Sequence, residues 1–286
     1  MRKLLIICGP TATGKTKLAL HLAGLFNGEV ISADSRQVYK YMDIGTGKEG
    51  KALGYNLVLP NEEFSVSHYL QFAREAIKKI FLQNKLPILV GGTGLYIKGV
   101  VDGIDTAEVL PNLELRKKLE SKTVDELFNI LEATLYEKAK SMNESDRKNP
   151  RRLIRAIEVA SSEKKLTTNR DKYDTLFVGL TLSKEKLDDR ISKRVDERSK
   201  SGFQGEIDFL KKNGYWGGVP MSTIGYKDWP DIEKWKQEEI KYAKRQMTWF
   251  KKEKRINWFD IEKKDFEKDV EKLIKKWYAN PEWQGK

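Results

Sequence analysis

A three-layer α/β core built on a parallel sheet and interrupted by an all-helical insertion is the fold class predicted for this 286-residue chain. Three observations predict it. Four short apolar runs have the length and continuity of strands buried on both faces, and segments of helical period lie between them. One long charged interval, by contrast, is helical throughout and holds no convincing strand.

KLLIIC (residues 3–8) is the first strand, and it runs directly into GPTATGKT, Gly9 to Thr16, with the helix KLALHLAGLF behind it. The spacing G-x-x-x-x-G-K-[ST] between a strand and a helix is that of a phosphate-binding loop. Glycines let the chain curl so that successive N–H groups face phosphate oxygens, Lys15 neutralises charge, and the Thr16 hydroxyl can hold Mg²⁺. The core is therefore expected to be P-loop NTPase-like. EVISAD is a second strand with Asp34 at its tip, a carboxylate placed either to ligate Mg²⁺ or accept a proton across the cleft, or to cap a helix. SHYLQFAREAIKKIFLQN reads as the next helix and PILVGG as the third strand. That strand ends on Gly91, Gly92 and Thr93, where P-loop hydrolases commonly carry an acid. The missing acid argues against an ATPase or GTPase and for a close backbone approach to something bulky, with a plain glycine turn as the alternative.

From Asn112 to Lys172 the texture changes. LRKKLE, VDELFNILEATL and RRLIRAIEVA repeat apolar residues at helical spacing, and Pro150 stands at a first helical position. The chain thus divides into a core over 1–111 and 173–286 and a helical insertion over 112–172. TLFVGLTL returns it to the sheet, and LDDRISKRVDERSKSG follows as a helix closed by Gly202. The remainder is charged and rich in tryptophan.

A net charge of +12 and a pI near 9.4 suit a polyanionic partner, although lysine-rich proteins also owe such a balance to solubility. The single cysteine, Cys8, allows neither an intramolecular disulfide nor a cysteine-based zinc site. LLIIC is too short for a signal peptide, and no segment is long enough to span a bilayer, so a cytoplasmic protein with no membrane partner is expected. No self-complementary apolar stripe is evident, and a monomer is expected.

GPTATGKT, DSRQVYKYMDIGTGK, GGTGLYIKG, NPRRLIRAIEV, the GY of TIGYKDW and RQMTWF occur in that order through nearly the whole chain. Together they resemble the tRNA dimethylallyltransferases. The resemblance implies transfer of a five-carbon prenyl group from dimethylallyl diphosphate to N6 of the adenosine 3′ of the anticodon, with pyrophosphate leaving. It also implies roles for residues. Gly9, Pro10, Thr11, Ala12, Thr13, Gly14, Lys15 and Thr16 would hold the diphosphate with Mg²⁺ on Thr16, and Arg194 would grip it as a planar, always charged donor. Asp34 would take the proton from N6, Thr93 would sit by the reacting centre, and Ser35, Arg36 and Gln37 would lie against the target nucleotide. The anticodon stem-loop would meet Arg116, then Arg151, Arg152, Leu153, Ile154 and Arg155, and finally Arg245 and Gln246. A channel open at both ends would admit donor and base from opposite sides. Spacing alone leaves Arg194 on a solvated helix face and YAKRQMTWF as an amphipathic core helix.

Two features depart from the family pattern. The segment after DIGTGK lacks the paired histidines of many relatives, and the insertion is compact; His21 and His68 read as helical and structural. Three rivals remain at this level. An adenylate isopentenyltransferase shares the core chemistry but has no use for PRRLIRA. A small-molecule P-loop kinase usually brings an arginine-rich lid, and a non-catalytic nucleic-acid-binding module leaves GPTATGKT and Asp34 unexplained.

Overall fold

The computed structural model describes residues 2–104, 106, 109, 111–162 and 173–279. The chain begins with β1 (Arg2–Cys8), α1 (Lys15–Leu25), β2 (Gly28–Ser32), α2 (Val66–Leu82), β3 (Leu86–Val90) and α3 (Gly94–Val101). Five helices follow: α4 (Leu113–Glu120), α5 (Val124–Thr134), α6 (Tyr136–Ser141), α7 (Glu144–Arg147) and α8 (Pro150–Ala160). The last part holds β4 (Tyr173–Thr181), α9 (Lys184–Lys200), α10 (Phe203–Lys212), α11 (Val219–Ser222), α12 (Ile232–Phe250), β5 (Ile256–Asp260) and α13 (Phe266–Tyr278).

All strand pairs are parallel, in the order β2-β3-β1-β4-β5. Register opposes Ser32 to Val90 and Val90 to Ile7, so the chain segments leaving β1, β2 and β3 emerge from one edge of the sheet at one level. Strand order reverses at β1, and such a switch point is where open α/β sheets bind ligands. The strands are apolar on both sides because both faces are covered. Leu5, Ile7, Val30, Ile88 and Val178 join Leu18 and Leu22 of α1 and Val270 and Ile274 of α13 in one core. Leu4, Ile6, Ile31 and Leu89 point to the other face and are just as buried. On that side the Tyr69 hydroxyl of α2 donates to the Ser32 carbonyl at 2.9 Å, and the Tyr69 ring stacks on Tyr96 of α3 at 3.8 Å. The core is P-loop NTPase-like. Among the described residues, no helix is long and apolar enough to cross a membrane.

Sequence reasoning did not find β5. Only Ile256 in INWFD is buried, and an edge strand with Asn257 and Trp258 exposed leaves no apolar run to detect. Gly202 does take the left-handed conformation expected of glycine after a helix, with φ +93° one residue beyond the cap Ser201.

Contacts divide the chain into two compact units. One comprises Met1–Phe64, His68–Asp102 and Arg170–Lys286, the other Ser65–Ser67 and Gly103–Asn169. Residues 163–172 of the expected helical interval lie outside the described residues. In the second unit Leu119, Leu127, Leu131, Leu153 and Ile157 form the core. The starts of α4, α5 and α8 are marked in sequence: Asn112 and Asn149 accept N–H bonds from Leu115 and Arg152, and Thr123 forms a capping box with Glu126. A buried carboxylate ties these helices together. Glu158 accepts from Arg116 at 2.7 and 3.0 Å, from Arg155 at 2.8 Å and from the Asn112 N–H at 2.8 Å.

This packing turns two of the residues expected at the RNA inward and pairs two others within the unit. Leu153 and Ile154 point inward, 0 % and 9 % exposed, because the apolar period of α8 turns them to the core. The Arg116 and Arg155 heads are committed to Glu158, and Arg155 also donates to the Thr106 and Val109 carbonyls at 2.6 Å each. Arg151 and Arg152 are exposed, Arg152 paired with Asp146. Burial alone raises the Glu158 pKa, but the bonds from Arg116, Arg155 and Asn112 outweigh it and hold it below the ordinary value. Its stabilisation is therefore full above the unfolded Glu range and lost as pH falls through the lower folded value. Glu158→Ala should cost about 3–5 kcal/mol in urea unfolding at neutral pH, since two arginines lose their counter-charge. Glu158→Gln should flatten the acid limb of the stability profile, and an unchanged limb would refute the assignment.

Candidate active site

Gly9 takes φ +131° where an added Cβ would stand 2.4 Å from the Leu180 carbonyl oxygen, so glycine alone lets the loop pass close to β4. Ala12 and Gly14, at φ +62° and +79°, complete the curl. The Thr13 hydroxyl and the Lys15 ammonium both donate to the Pro10 carbonyl, at 2.9 and 2.6 Å. Burial, reinforced by the charge of Arg194, pushes the Lys15 pKa down to about 8.

Over this loop stand two arginines of α9, one turn apart. Arg194 donates to the Thr11 hydroxyl at 3.1 Å and to Glu49 at 2.8 Å. Arg198, which sequence reasoning missed, pairs with Glu239 at 3.4 Å and reaches the Gly45 carbonyl at the same distance. Burial and then Arg194 push the Arg198 pKa down to about 10. The four-residue spacing in RVDER was the available signal. Gly47 makes the room: a Cβ there would fall 1.8 Å from the Arg198 guanidinium and 2.6 Å from that of Arg194.

Asp34 is half-buried just beyond β2, its Oδ1 accepting the Arg36 N–H at 2.8 Å, an Asx turn rather than a helix cap. Thr93, the N-cap of α3, donates its N–H to the Ala33 carbonyl at 3.1 Å and accepts the Ser35 N–H on its hydroxyl at 3.0 Å. Tyr242 of α12, a second residue sequence reasoning missed, interacts with the Thr93 side chain. Burial, then Asp34, raise the Tyr242 pKa and keep it a neutral phenol.

The segment opposite is held from behind. Glu206 of α10 accepts the N–H groups of Asp43 and Ile44 at 2.8 Å each and of Gly45 at 3.1 Å, together with the Tyr226 hydroxyl at 2.5 Å. No local motif announces Glu206. Gln37, expected against a nucleotide, is also in this scaffold. It is 9 % exposed, accepts from Ser32 at 2.8 Å and donates to the Thr46 and Gly47 carbonyls at 3.2 Å each. Gln246 is likewise buried at 5 %, bonded to Thr11 and Gly92 rather than presented to an RNA. Arg245, its neighbour, is exposed and lies over the Tyr242 ring.

Two clefts are lined by residues of the phosphate loop and α9. One, about 400 Å³, is lined by Lys15, Thr16, Lys17, Arg190, Lys193 and Arg194 against Glu49 and Glu197. The other, about 320 Å³, is lined by Thr11, Asp34, Ser35, Arg36, Thr46, Arg198, Tyr242 and Arg245, among others. The first is an anion site by composition, and the second offers a carboxylate, hydroxyls and a phenol.

With no acid after β3 to hold a metal and orient water, the loop suits a phosphorylated group in transit better than hydrolysis of a triphosphate, and the class is that of a P-loop group transferase. The chain belongs to the IPP transferase family, which matches residues 37–253, and residues 2–53 also match isopentenyl transferase. It is 39% identical to a tRNA dimethylallyltransferase of Acetivibrio thermocellus over 96% of both chains. A crystal structure of a tRNA isopentenylpyrophosphate transferase from Bacillus halodurans is similar at TM-score 0.71 and 33% identity, over 97% of each chain. A eukaryotic dimethylallyltransferase solved acting on tRNA is similar at TM-score 0.78 and 28% identity, over 96% of this chain and 78% of its own.

Because burial and the charge of Arg194 push the Lys15 pKa down to about 8, affinity for a diphosphate ester should fall as pH rises above that value. Calorimetry from pH 7 to 9.5 measures this, and a flat affinity profile would remove Lys15 from the binding charge.

Proposed function

We propose that this enzyme transfers a dimethylallyl group from dimethylallyl diphosphate to N6 of the adenosine 3′-adjacent to the anticodon of a tRNA, releasing pyrophosphate. The observation that carries the reading is the hydrogen bond from Arg194, which lines the cation-rich cleft, to Thr11, which lines the cleft that holds Asp34.

The diphosphate lies in the cation-lined cleft against the loop N–H groups, Lys15 and Arg194. The allylic carbon is turned toward the cleft that holds Asp34, and the adenine enters from the Asp34 side. The C–O bond of the donor breaks with its electron pair going to pyrophosphate, and preorganised donors stabilise the charge where it collects. The N6 lone pair bonds to the carbon as it gains cationic character. The Asp34 carboxylate takes the N6 proton, which leaves a neutral secondary amine. Thr93 orders the Ser35 backbone beside that carboxylate. To reach the cleft the adenine must leave its stack, as bases do when enzymes act on them.

Mg²⁺ fits the donor set. Thr16 lines the cation-rich cleft, and no group of three or more His, Cys, Asp or Glu side chains among the described residues is arranged to hold a metal. One hydroxyl suits a hard cation that takes its other ligands from water and substrate phosphates. Bound there, Mg²⁺ would add charge stabilisation for the departing diphosphate.

RNA as acceptor is favoured over free adenylate by the relatives' names and by the exposed Arg151 and Arg152 on the helical unit. Labelled dimethylallyl diphosphate with Mg²⁺ and no ATP should label tRNA in preference to AMP. Label on AMP alone would favour the adenylate enzyme. Asp34→Ala should lower kcat by about 10²–10⁴-fold and leave tRNA affinity within a few-fold, as expected for loss of a general base. Joint Arg151→Ala and Arg152→Ala should reduce the salt dependence of tRNA binding by about one to two phosphate contacts. An unchanged slope would move that helix away from the RNA.

A further inference from the structure

We propose that Gln246 is a positioning residue that sets the distance between the diphosphate-holding half and the acceptor-holding half of the site. This rests on the transferase reading above. The Gln246 amide accepts the Thr11 N–H on Oε1 at 2.8 Å and donates from Nε2 to the Gly92 carbonyl at 3.1 Å. One side chain thus joins the phosphate loop after β1 to the turn after β3. The next residue of that turn, Thr93, is bonded to Ser35 beside Asp34.

Its helix is a stiff support. Trp235, Ala243 and Phe250 bury one side of α12 at 0–3 % exposure. From the same helix Glu239 reaches Arg198, Tyr242 reaches Thr93 and Gln246 reaches Thr11 and Gly92, so one element addresses the arginine helix, the phosphate loop and the turn after β3. The second glycine of GGT follows from this contact. A Cβ at Gly92 would stand 1.9 Å from Gln246 Nε2, so the turn is bare there to admit the amide, and a bulky ligand is not needed to explain it. At 5 % exposure Gln246 has no face for RNA.

Joining N6 to an allylic carbon requires the two reacting atoms within about 3–3.5 Å, and a misplacement of about 1 Å costs about 100-fold in rate. Gln246→Met keeps the length and removes both bonds. It should slow single-turnover transfer, at saturating tRNA and dimethylallyl diphosphate, by about 100-fold. The Kd for tRNA and for the unreactive dimethylallyl S-thiolodiphosphate should stay within about threefold, because each half remains intact. Gln246→Glu, which still accepts from Thr11, should fall between. Gly92→Ala displaces the amide and should match Gln246→Met, and the double variant should be no slower than either.

Unfolded enzyme lowers the amplitude of a single turnover and not its rate, so misfolding cannot imitate the result. A tRNA affinity weakened tenfold or more with an unchanged rate would make Gln246 an RNA contact and overturn the proposal. So would a rate within twofold of wild type, or multiplicative effects in the double variant. If the wild-type enzyme transfers no label from the donor to tRNA, the proposed function fails, which is distinct from failure of the inference.

Discussion

The register of three parallel strands is the constraint on which the site depends. Ser32, Val90 and Ile7 lie side by side, so the carboxylate after β2, the glycine turn after β3 and the phosphate loop after β1 leave the sheet together. A one-residue shift of any of these strands would turn its buried side chains to the opposite face. Burial at or near 0 % exposure on both faces makes that shift costly, and the geometry of the loops is inherited from the packing of the core.

Space is allotted to cations as deliberately as charge. The charge of Arg194 depresses both Lys15 and Arg198, and Arg194 and Arg198 are paired with Glu49 and Glu239. Glycines supply the volume. Gly47 clears the two guanidiniums, Gly9 clears the strand behind the loop, and Gly92 clears an amide. A motif that looks like phosphate chemistry in sequence is, at several positions, a record of what presses against the backbone from outside.

Local spacing made the phosphate loop, the Asp34 tip and the Gly91–Thr93 turn legible, because in each the chemistry and the residues that create it are neighbours in the chain. Arg198, Tyr242 and Glu206 act on loops between about 150 and 165 residues away along the chain, and no spacing rule reports that. For Leu153 and Ile154 the signal was present. The apolar period of RRLIRAIEVA turns them inward, and only the resemblance of the segment suggested contact with RNA. Gln37 and Gln246 show a third case: polar residues in functional motifs, buried because the scaffold of the site needs their amides. β5 escaped because an edge strand needs no apolar run.

The carboxylate of Glu206 gathers three consecutive backbone N–H groups and a phenol whose pKa is driven up by burial and by Glu206 itself. Lifting residues 43–45 would break three charge-assisted hydrogen bonds at once. This margin of the cleft is therefore a fixed sill. An edge held by four hydrogen bonds to one carboxylate is not the part of the cleft that moves most easily.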